Sequence, residues 1–127
     1  MADRDERCPC GRGLTYAECC GPILAGAPAA TAEALMRSRY TAYAKGNAAH
    51  VAHSWHPDTR PADTSVEPDV RWTGLTVLSS RGGGLFDADG VVEFRASYRE
   101  GRVPGEMREE SRFVRYEGRW VYWGPTS

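Results

Sequence analysis

Four cysteines carry the clearest chemistry in this 127-residue sequence, and they are the only cysteines in it. Cys8 and Cys10 are separated by one residue, and Cys19 and Cys20 are adjacent, so two close pairs flank a short connector. A disulfide within either pair would close a strained ring, whereas a disulfide between the pairs is geometrically possible. Two close pairs of thiols are also typical of a tetrahedral metal site. The spacing alone leaves disulfides, reactive thiols and metal ligation as alternatives.

Metal ligation is the alternative that the residues around the cysteines favour. Four thiolates from two chain segments suit a tetrahedral ion that lies about 2.3 Å from each sulfur. Gly11 and Gly13 follow the first pair, and Gly21 and Pro22 follow the second, so the chain can turn toward a common centre. Zinc is the leading ion, and a single iron is the alternative. Because four protein ligands leave no open position for water, we expect a structural site and not a catalytic one.

The charge and hydropathy of the chain restrict its location and partners. A formal charge of −1, from 16 basic and 17 acidic residues, provides no positive field to attract nucleic acid or an anionic membrane. The sequence shows no apolar run long enough for an export signal or a membrane span. We therefore expect a cytoplasmic protein without membrane insertion, in which nucleic acid is not a partner. A reducing compartment also argues against disulfides, and Arg7 and Arg12 are expected to compensate the thiolate charge.

Two helices and four strands must position these residues. Thr31 is a predicted N-cap for a helix over residues 32–45 that Gly46 ends, and Asn47 can cap a second, shorter helix. The chain then changes to a period of two, in runs rich in β-branched and aromatic residues and separated by glycine-containing turns. These runs predict four antiparallel strands, at residues 70–80, 90–100, 106–116 and 119–124.

This order of elements predicts an α+β fold. We expect the N-terminal helices to pack on one face of a curved antiparallel sheet, with the cysteine-rich segment as a small addition. The predicted domains are a metal-binding element at residues 1–26 and an α+β domain at residues 27–127.

Two sets of motifs resemble known families. The segment from Cys8 to Gly21, C-P-C-G-x-G-x-x-Y-x-x-C-C-G, resembles the SEC-C motif, a small zinc-binding element found at the C-terminus of the SecA preprotein-translocation ATPase and in other bacterial proteins. Similarity to the YchJ family of bacterial proteins is found in four further segments, LMRSRYTAY at 35–43, WHP at 55–57, WTGLTVL at 72–78 and ESRFVRYEGRWVY at 110–122.

The resemblance implies a cone-shaped domain similar to the nuclear transport factor two and cystatin folds. It also implies that the metal ligands are Cys8, Cys10, Cys19 and Cys20, and it suggests a protein partner for the SEC-C element. SEC-C connectors are often rich in lysine, whereas the connector here is not, which further weakens a role in nucleic-acid binding. No single activity follows, because this fold serves both enzymes and binding domains.

A second candidate site consists of polar side chains that would line the interior of such a cone. A buried pair of arginine and glutamate would organise an acidic ligand, and a glutamate beside a tyrosine hydroxyl would suit general base catalysis. The same residues would otherwise form ion pairs between helix and sheet. The candidate pocket residues are Arg37, Arg39, Tyr40, His56, Glu93, Arg95, Glu109 and Arg112.

Two hypotheses about function follow from these sites. The first is a zinc-binding protein whose closed four-cysteine site serves binding or partner recognition and not turnover. The alternative is a small-molecule enzyme or ligand-binding protein that uses a polar pocket in the cone-shaped domain.

Overall fold

The computed structural model describes residues 6–126, so residues 1–5 and 127 of the two predicted domains lie outside the described part of the chain. Within residues 6–126, a short 3₁₀ turn at Tyr16–Glu18 precedes three α-helices and four β-strands. The helices are α1 (Gly21–Leu24), α2 (Ala32–Lys45) and α3 (Ala48–His53). The strands are β1 (Val70–Gly82), β2 (Asp89–Glu100), β3 (Val103–Tyr116) and β4 (Arg119–Pro125).

Local signals determine both ends of helix α2. The Thr31 side chain accepts a hydrogen bond from the backbone N–H of Ala34 at 3.1 Å, and Gly46 ends the helix in the left-handed conformation at φ 74°. The Asn47 side chain caps α3 in the same way, by accepting a hydrogen bond from the His50 N–H at 3.0 Å. The predicted caps of both helices and the bounds of α2 are therefore confirmed, whereas α3 ends at His53, before Trp55. No helix within residues 6–126 is both long enough and apolar enough to cross a membrane.

The four strands form one antiparallel sheet in the order β1-β2-β3-β4, which confirms the predicted α+β fold. Shifts of register interrupt the pairing between Trp72 and Gly74 and between Val77 and Ser79 in β1, and between Arg112 and Phe113 in β3. Such bulges increase the local twist and bend a strand. The sheet can therefore curve around the helix that packs on it.

Helix α2 packs on the inner face of this sheet. Its buried Leu35 and Met36 belong to one core cluster with Val92 of β2, Phe113 of β3 and Trp120 of β4. After α3, the chain returns to the sheet, where the Tyr122 backbone N–H donates to Ser54 O at 2.8 Å and the His56 N–H donates to Tyr122 O at 2.9 Å. These bonds place Ser54 and Trp55 beside β4, at one side of the space between helix and sheet.

Candidate functional site

The four cysteines are brought together by two tight turns. The Cys8 N–H donates to Leu14 O at 2.9 Å and the Gly11 N–H donates to Cys8 O at 3.2 Å, so the first pair lies in a small loop. Gly11 adopts φ 77° there, a conformation that favours glycine. Cys19 follows the 3₁₀ turn, and Cys20 is the residue before helix α1. The sequence thus folds both pairs toward one point, and we call Cys8, Cys10, Cys19 and Cys20 the cysteine cluster.

The sulfur positions fit a tetrahedral ion. All four Sγ atoms lie within 4.8 Å of one another, with Cys10 and Cys19 at 3.6 Å and Cys19 and Cys20 at 3.9 Å. Four sulfurs that each lie 2.3 Å from a tetrahedral ion are about 3.8 Å apart, close to these two distances. All four cysteines are free, and the two distances far exceed the roughly 2.05 Å of a disulfide bond. The donor set and its spacing therefore suit zinc or another thiophilic ion.

Burial and hydrogen bonding shift the pKa values of Cys10, Cys19 and Cys20 in different directions. Cys8, Cys10 and Cys20 are 0–4% exposed. A hydrogen bond from the Cys20 thiol lowers the pKa of Cys10 to about 4 despite burial, and the same bond raises the pKa of Cys20. Burial raises the pKa of Cys19 to about 11. One thiolate is thus favoured by its neighbours, whereas ionisation of all four sulfurs requires a positive ion among them.

Helix α2 provides a charged side chain next to the cysteine cluster. Arg37 Nη1 donates to the backbone carbonyl of Cys10 at 3.0 Å, and Arg37 Nε pairs with Glu33 at 3.0 Å. Arg12 contributes through its backbone, by a hydrogen bond that favours the Cys10 thiolate. Arg7 instead donates to Gly13 O at 2.7 Å. Arg37 is thus a neighbour of the cluster that sequence reasoning did not predict, and charge compensation by Arg7 and Arg12 stays a prediction.

A cavity of about 290 Å³ lies between α2, the segment after α3 and the inner face of the sheet. Its walls are mainly aromatic, with two ionisable side chains of opposite charge, Arg39 and Glu109. Besides these two, the lining residues are Met36, Tyr40, Tyr43, Trp55, Trp72, Phe94, Ala96, Met107, Ser111, Phe113 and Tyr122.

Arg39 is fixed by neighbours on two sides. Although it carries a guanidinium, it is only 7% exposed. Its Nη1 donates to the backbone carbonyl of Val51 at 3.0 Å and to Ser54 Oγ at 2.7 Å. The guanidinium carbon lies 4.8 Å from the Trp55 ring centroid and 4.4 Å from that of Tyr122, within the range of cation–π attraction. Burial lowers the pKa of Arg39, although arginine stays protonated in proteins.

Glu109 lies across the cavity on strand β3 and is held by two hydroxyl groups. Its Oε2 accepts hydrogen bonds from Ser111 Oγ and from the Tyr122 hydroxyl, both at 2.5 Å. Burial raises the pKa of Tyr122, and the hydrogen bond to Glu109 acts in the same direction. One oxygen of the Glu109 carboxylate is thus held by two other residues of the cavity wall, Ser111 and Tyr122.

The cavity contains three of the eight predicted pocket residues, Arg39, Tyr40 and Glu109. Arg37 points instead to the cysteine cluster, through its bond to Cys10 O. His56 packs against the rings of Tyr116 and Trp123, with centroids 5.0 and 4.9 Å away.

The other three predicted pocket residues form ion pairs on the opposite face of the sheet. Glu93 pairs with Arg108 at 2.9 Å, Arg95 with Glu106 at 3.5 Å and Arg112 with Asp89 at 3.7 Å. The physical reason is strand alternation, because Glu93 and Arg95 flank the inward-facing Phe94 in β2. The placement of these residues inside the cone is therefore corrected.

Sequence reasoning missed several lining residues, and helical spacing gave a signal for some of them. Met36 and Tyr43 lie three residues before and four residues after Arg39, so they share its helix face. Ser111 lies two residues after Glu109 and shares its strand face. The roles of Trp55 and Tyr122 depend on how the segment after α3 pairs with β4, which residue spacing does not reveal.

Comparison with known proteins agrees with this arrangement of site and fold. Residues 31–125 match the family described as "YchJ, middle NTF2-like domain", and residues 6–22 match the SEC-C motif. The molecule is thus a SEC-C motif protein with a nuclear-transport-factor-two-like domain. The chain belongs to the YchJ family, as the motifs predicted.

Relatives cover nearly the whole chain. A UPF0225 protein of Streptomyces coelicolor is 51% identical over 116 residues, which covers 91% of this chain and 90% of that protein. The solution structure of a SEC-C motif containing protein from Rhodopseudomonas palustris has a TM-score of 0.83 and 37% identity, covering 94% of this chain and 97% of the other. A crystal structure of a SEC-C motif containing protein from Psychrobacter arcticus has a TM-score of 0.80 and 25% identity, covering 99% and 85%.

Proposed function

We propose that this protein binds one zinc ion through Cys8, Cys10, Cys19 and Cys20, and that the ion has a structural role. The observation that carries the proposal is the spacing of the four Sγ atoms, which all lie within 4.8 Å of one another. Four thiolates complete a tetrahedral zinc site, so no position stays open for a water nucleophile. The site therefore serves binding, and the chemistry of a catalytic zinc is not expected from it.

The contacts of the cysteine cluster explain what the ion would stabilise. Cys8, Cys10 and Cys20 form one buried cluster with Tyr40 of α2 and Ala96 of β2. Cys8 Sγ lies 3.7 Å from Thr41 Oγ1 of the same helix, and Arg37 binds the carbonyl of Cys10. Binding an ion in the folded state but not in the unfolded chain adds its binding free energy to stability. The ion would thus attach the N-terminal segment to helix α2 and the sheet.

Metal analysis tests the proposal. Protein purified without added metal should contain about one zinc per chain by elemental analysis, and a Cys8→Ser/Cys19→Ser variant should contain almost none. Leu14→Ser is the matched control, because Leu14 is an exposed residue of the connector and no ligand. Visible absorption separates the two candidate ions, since zinc is d¹⁰ and thiolate-bound iron is coloured. A folded protein that contains no metal and reacts with a thiol reagent at all four cysteines would contradict the proposal.

We also propose a cytoplasmic location. Its support is that the four cysteines are free thiols at ligand spacing, and thiol ligands persist in a reducing compartment. Cell fractionation should recover the chain with cytoplasmic marker enzymes. Recovery with periplasmic or extracellular markers would contradict this location.

A further inference from the structure

We propose that the cavity between α2 and the inner sheet face binds a flat, uncharged ring compound that donates one hydrogen bond to Glu109. This proposal goes beyond zinc binding and does not depend on it. Four features of the cavity carry it: its charge, its free acceptor, its walls and its volume.

The charge of the cavity selects an uncharged ligand. Among the described residues that line it, Arg39 and Glu109 are the two with formally charged side chains, and these charges are opposite. Arg39 Nη1 already donates to Val51 O and Ser54 Oγ, and the rings of Trp55 and Tyr122 lie against the guanidinium. An anionic ligand would meet the Glu109 carboxylate, and a cationic ligand would meet Arg39. In a buried space either repulsion is strong, so the favoured ligand has no net charge.

Glu109 provides the free acceptor. Its Oε2 takes both hydroxyl donors, Ser111 and Tyr122, which fix the orientation of the carboxylate. Its Oε1 accepts no hydrogen bond from any residue in the 6–126 range, and this oxygen is accessible to solvent. A carboxylate oxygen held in place at a cavity wall is a strong acceptor for an N–H or O–H group. The ligand should therefore present one such donor.

The walls and the volume determine the shape of the ligand. Aromatic rings surround the space and pack edge to face against one another. The ring centroids are 6.0 Å apart for Trp72 and Tyr40, and 5.0 Å apart for Trp55 and Tyr122. Rings of this kind pack best against other flat rings. A cavity of about 150 Å³ holds one benzene, so the 290 Å³ here suits one or two fused rings.

Indole and benzofuran form a matched pair of probes. They share shape and size, but the N–H donor of indole is an ether oxygen in benzofuran. Isothermal titration calorimetry should give indole a Kd below about 1 mM and a preference over benzofuran of about tenfold. Indole-3-acetate and tryptamine, which carry a negative and a positive charge, should bind more weakly than indole. Metal content is measured in the same samples, so loss of the ion is not mistaken for loss of the cavity.

Substitution of the acceptor assigns the preference to Glu109. In Glu109→Leu, the preference for indole over benzofuran should fall to about twofold or less, whereas Glu106→Leu should retain it. Glu106 lies on the same strand, pairs with Arg95 and is outside the cavity. If Glu109→Leu does not fold, the comparison of indole with benzofuran in the unsubstituted protein decides the question. Equal binding of indole and benzofuran, preference for a charged probe, or no binding of indole near 1 mM would each overturn the proposal.

Discussion

Tyr122 donates its phenolic hydrogen to Glu109 at 2.5 Å, and the face of its ring lies 4.4 Å from the Arg39 guanidinium carbon. One side chain of β4 thus connects the cation of helix α2 with the carboxylate of strand β3. Its backbone is also fixed, through bonds to Ser54 and His56. The hydroxyl of Tyr122 therefore orients Glu109, and its ring positions Arg39, while the backbone bonds fix Tyr122 in the sheet.

Tyr122→Phe separates these two tasks. The ring and its contact with Arg39 are retained, but Glu109 keeps only the Ser111 donor. Because a half-buried carboxylate loses a hydrogen bond, we expect the free energy of unfolding to fall by about 1–2 kcal/mol in urea titrations. Tyr116→Phe is the control, since its ring packs on His56 and its hydroxyl makes no hydrogen bond within residues 6–126. Equal losses in the two variants would show that the bond to Glu109 contributes nothing.

His50 should make stability depend on pH. It is 5% exposed, and burial lowers its pKa to about 4, with the charges of Arg39, His53 and Arg119 acting in the same direction. In the unfolded chain histidine titrates near 6.5. As pH falls from 6.5 toward 4, the unfolded state binds the proton first, so stability decreases over this window and levels off below it. The total loss should be about 3 kcal/mol.

The neutral form of His50 has a defined partner. Ser38 Oγ donates to Leu35 O at 2.7 Å, so at its 3.0 Å contact with His50 Nε2 it acts as the acceptor, and Nε2 carries the hydrogen. Urea titrations at pH 7 and pH 5 should show the decrease in unfolding free energy, and His50→Gln should reduce it. His53→Gln, at an exposed position of the same helix, should reduce it less, although the pKa of His53 is also lowered by partial burial. A pH dependence that His50→Gln leaves intact would rule out this residue as its source.

Local signals explain why much of this molecule was predictable from sequence. Each helix cap needs only a neighbouring residue three positions away, and Thr31 and Asn47 are bound as predicted. Likewise, the cysteine spacing within one short segment predicted the cysteine cluster, because the turns that close it are formed by the same segment.

Residues brought together by strand pairing were harder to predict. Glu93 and Arg95 were placed inside the cone, although strand alternation puts them opposite Phe94, which lines the cavity. The contact between Tyr122 and Glu109 depends on the register of β3 and β4, which shifts at Arg112 and Phe113. A shift of register leaves no trace in the alternation of residue types, so this contact could be seen only in the structure.

Gly21→Ala should weaken the metal site without removing a ligand. A Cβ on Gly21 would lie 2.7 Å from the backbone oxygen of Tyr16 and 3.2 Å from its ring, so helix α1 or the 3₁₀ turn must move. Cys20 precedes Gly21 directly, and overpacking of this kind costs about 1–3 kcal/mol. Competition with a chelating dye should show lower zinc affinity. Gly74→Ala is the control, because its Cβ would meet nothing within 4 Å; unchanged affinity in Gly21→Ala would refute the close contact.

Tyr40 should couple the metal site to the cavity. It is 7% exposed, packs in the same cluster as Cys8, Cys10 and Cys20, and also lines the cavity. Loss of the ion should release the N-terminal segment from Tyr40 and make this wall of the cavity more mobile. If both proposals hold, indole should then bind more weakly.

Chelation of the ion tests this coupling. Treatment with a strong chelator should lower indole affinity by about fivefold, a typical size for coupling between two sites, and added zinc should restore it. The ratio of indole to benzofuran affinity should change little, because Ser111 and Tyr122 hold Glu109 independently of the cysteine cluster. If chelation removes the ion and leaves indole affinity unchanged, the two sites are independent and Tyr40 transmits nothing between them.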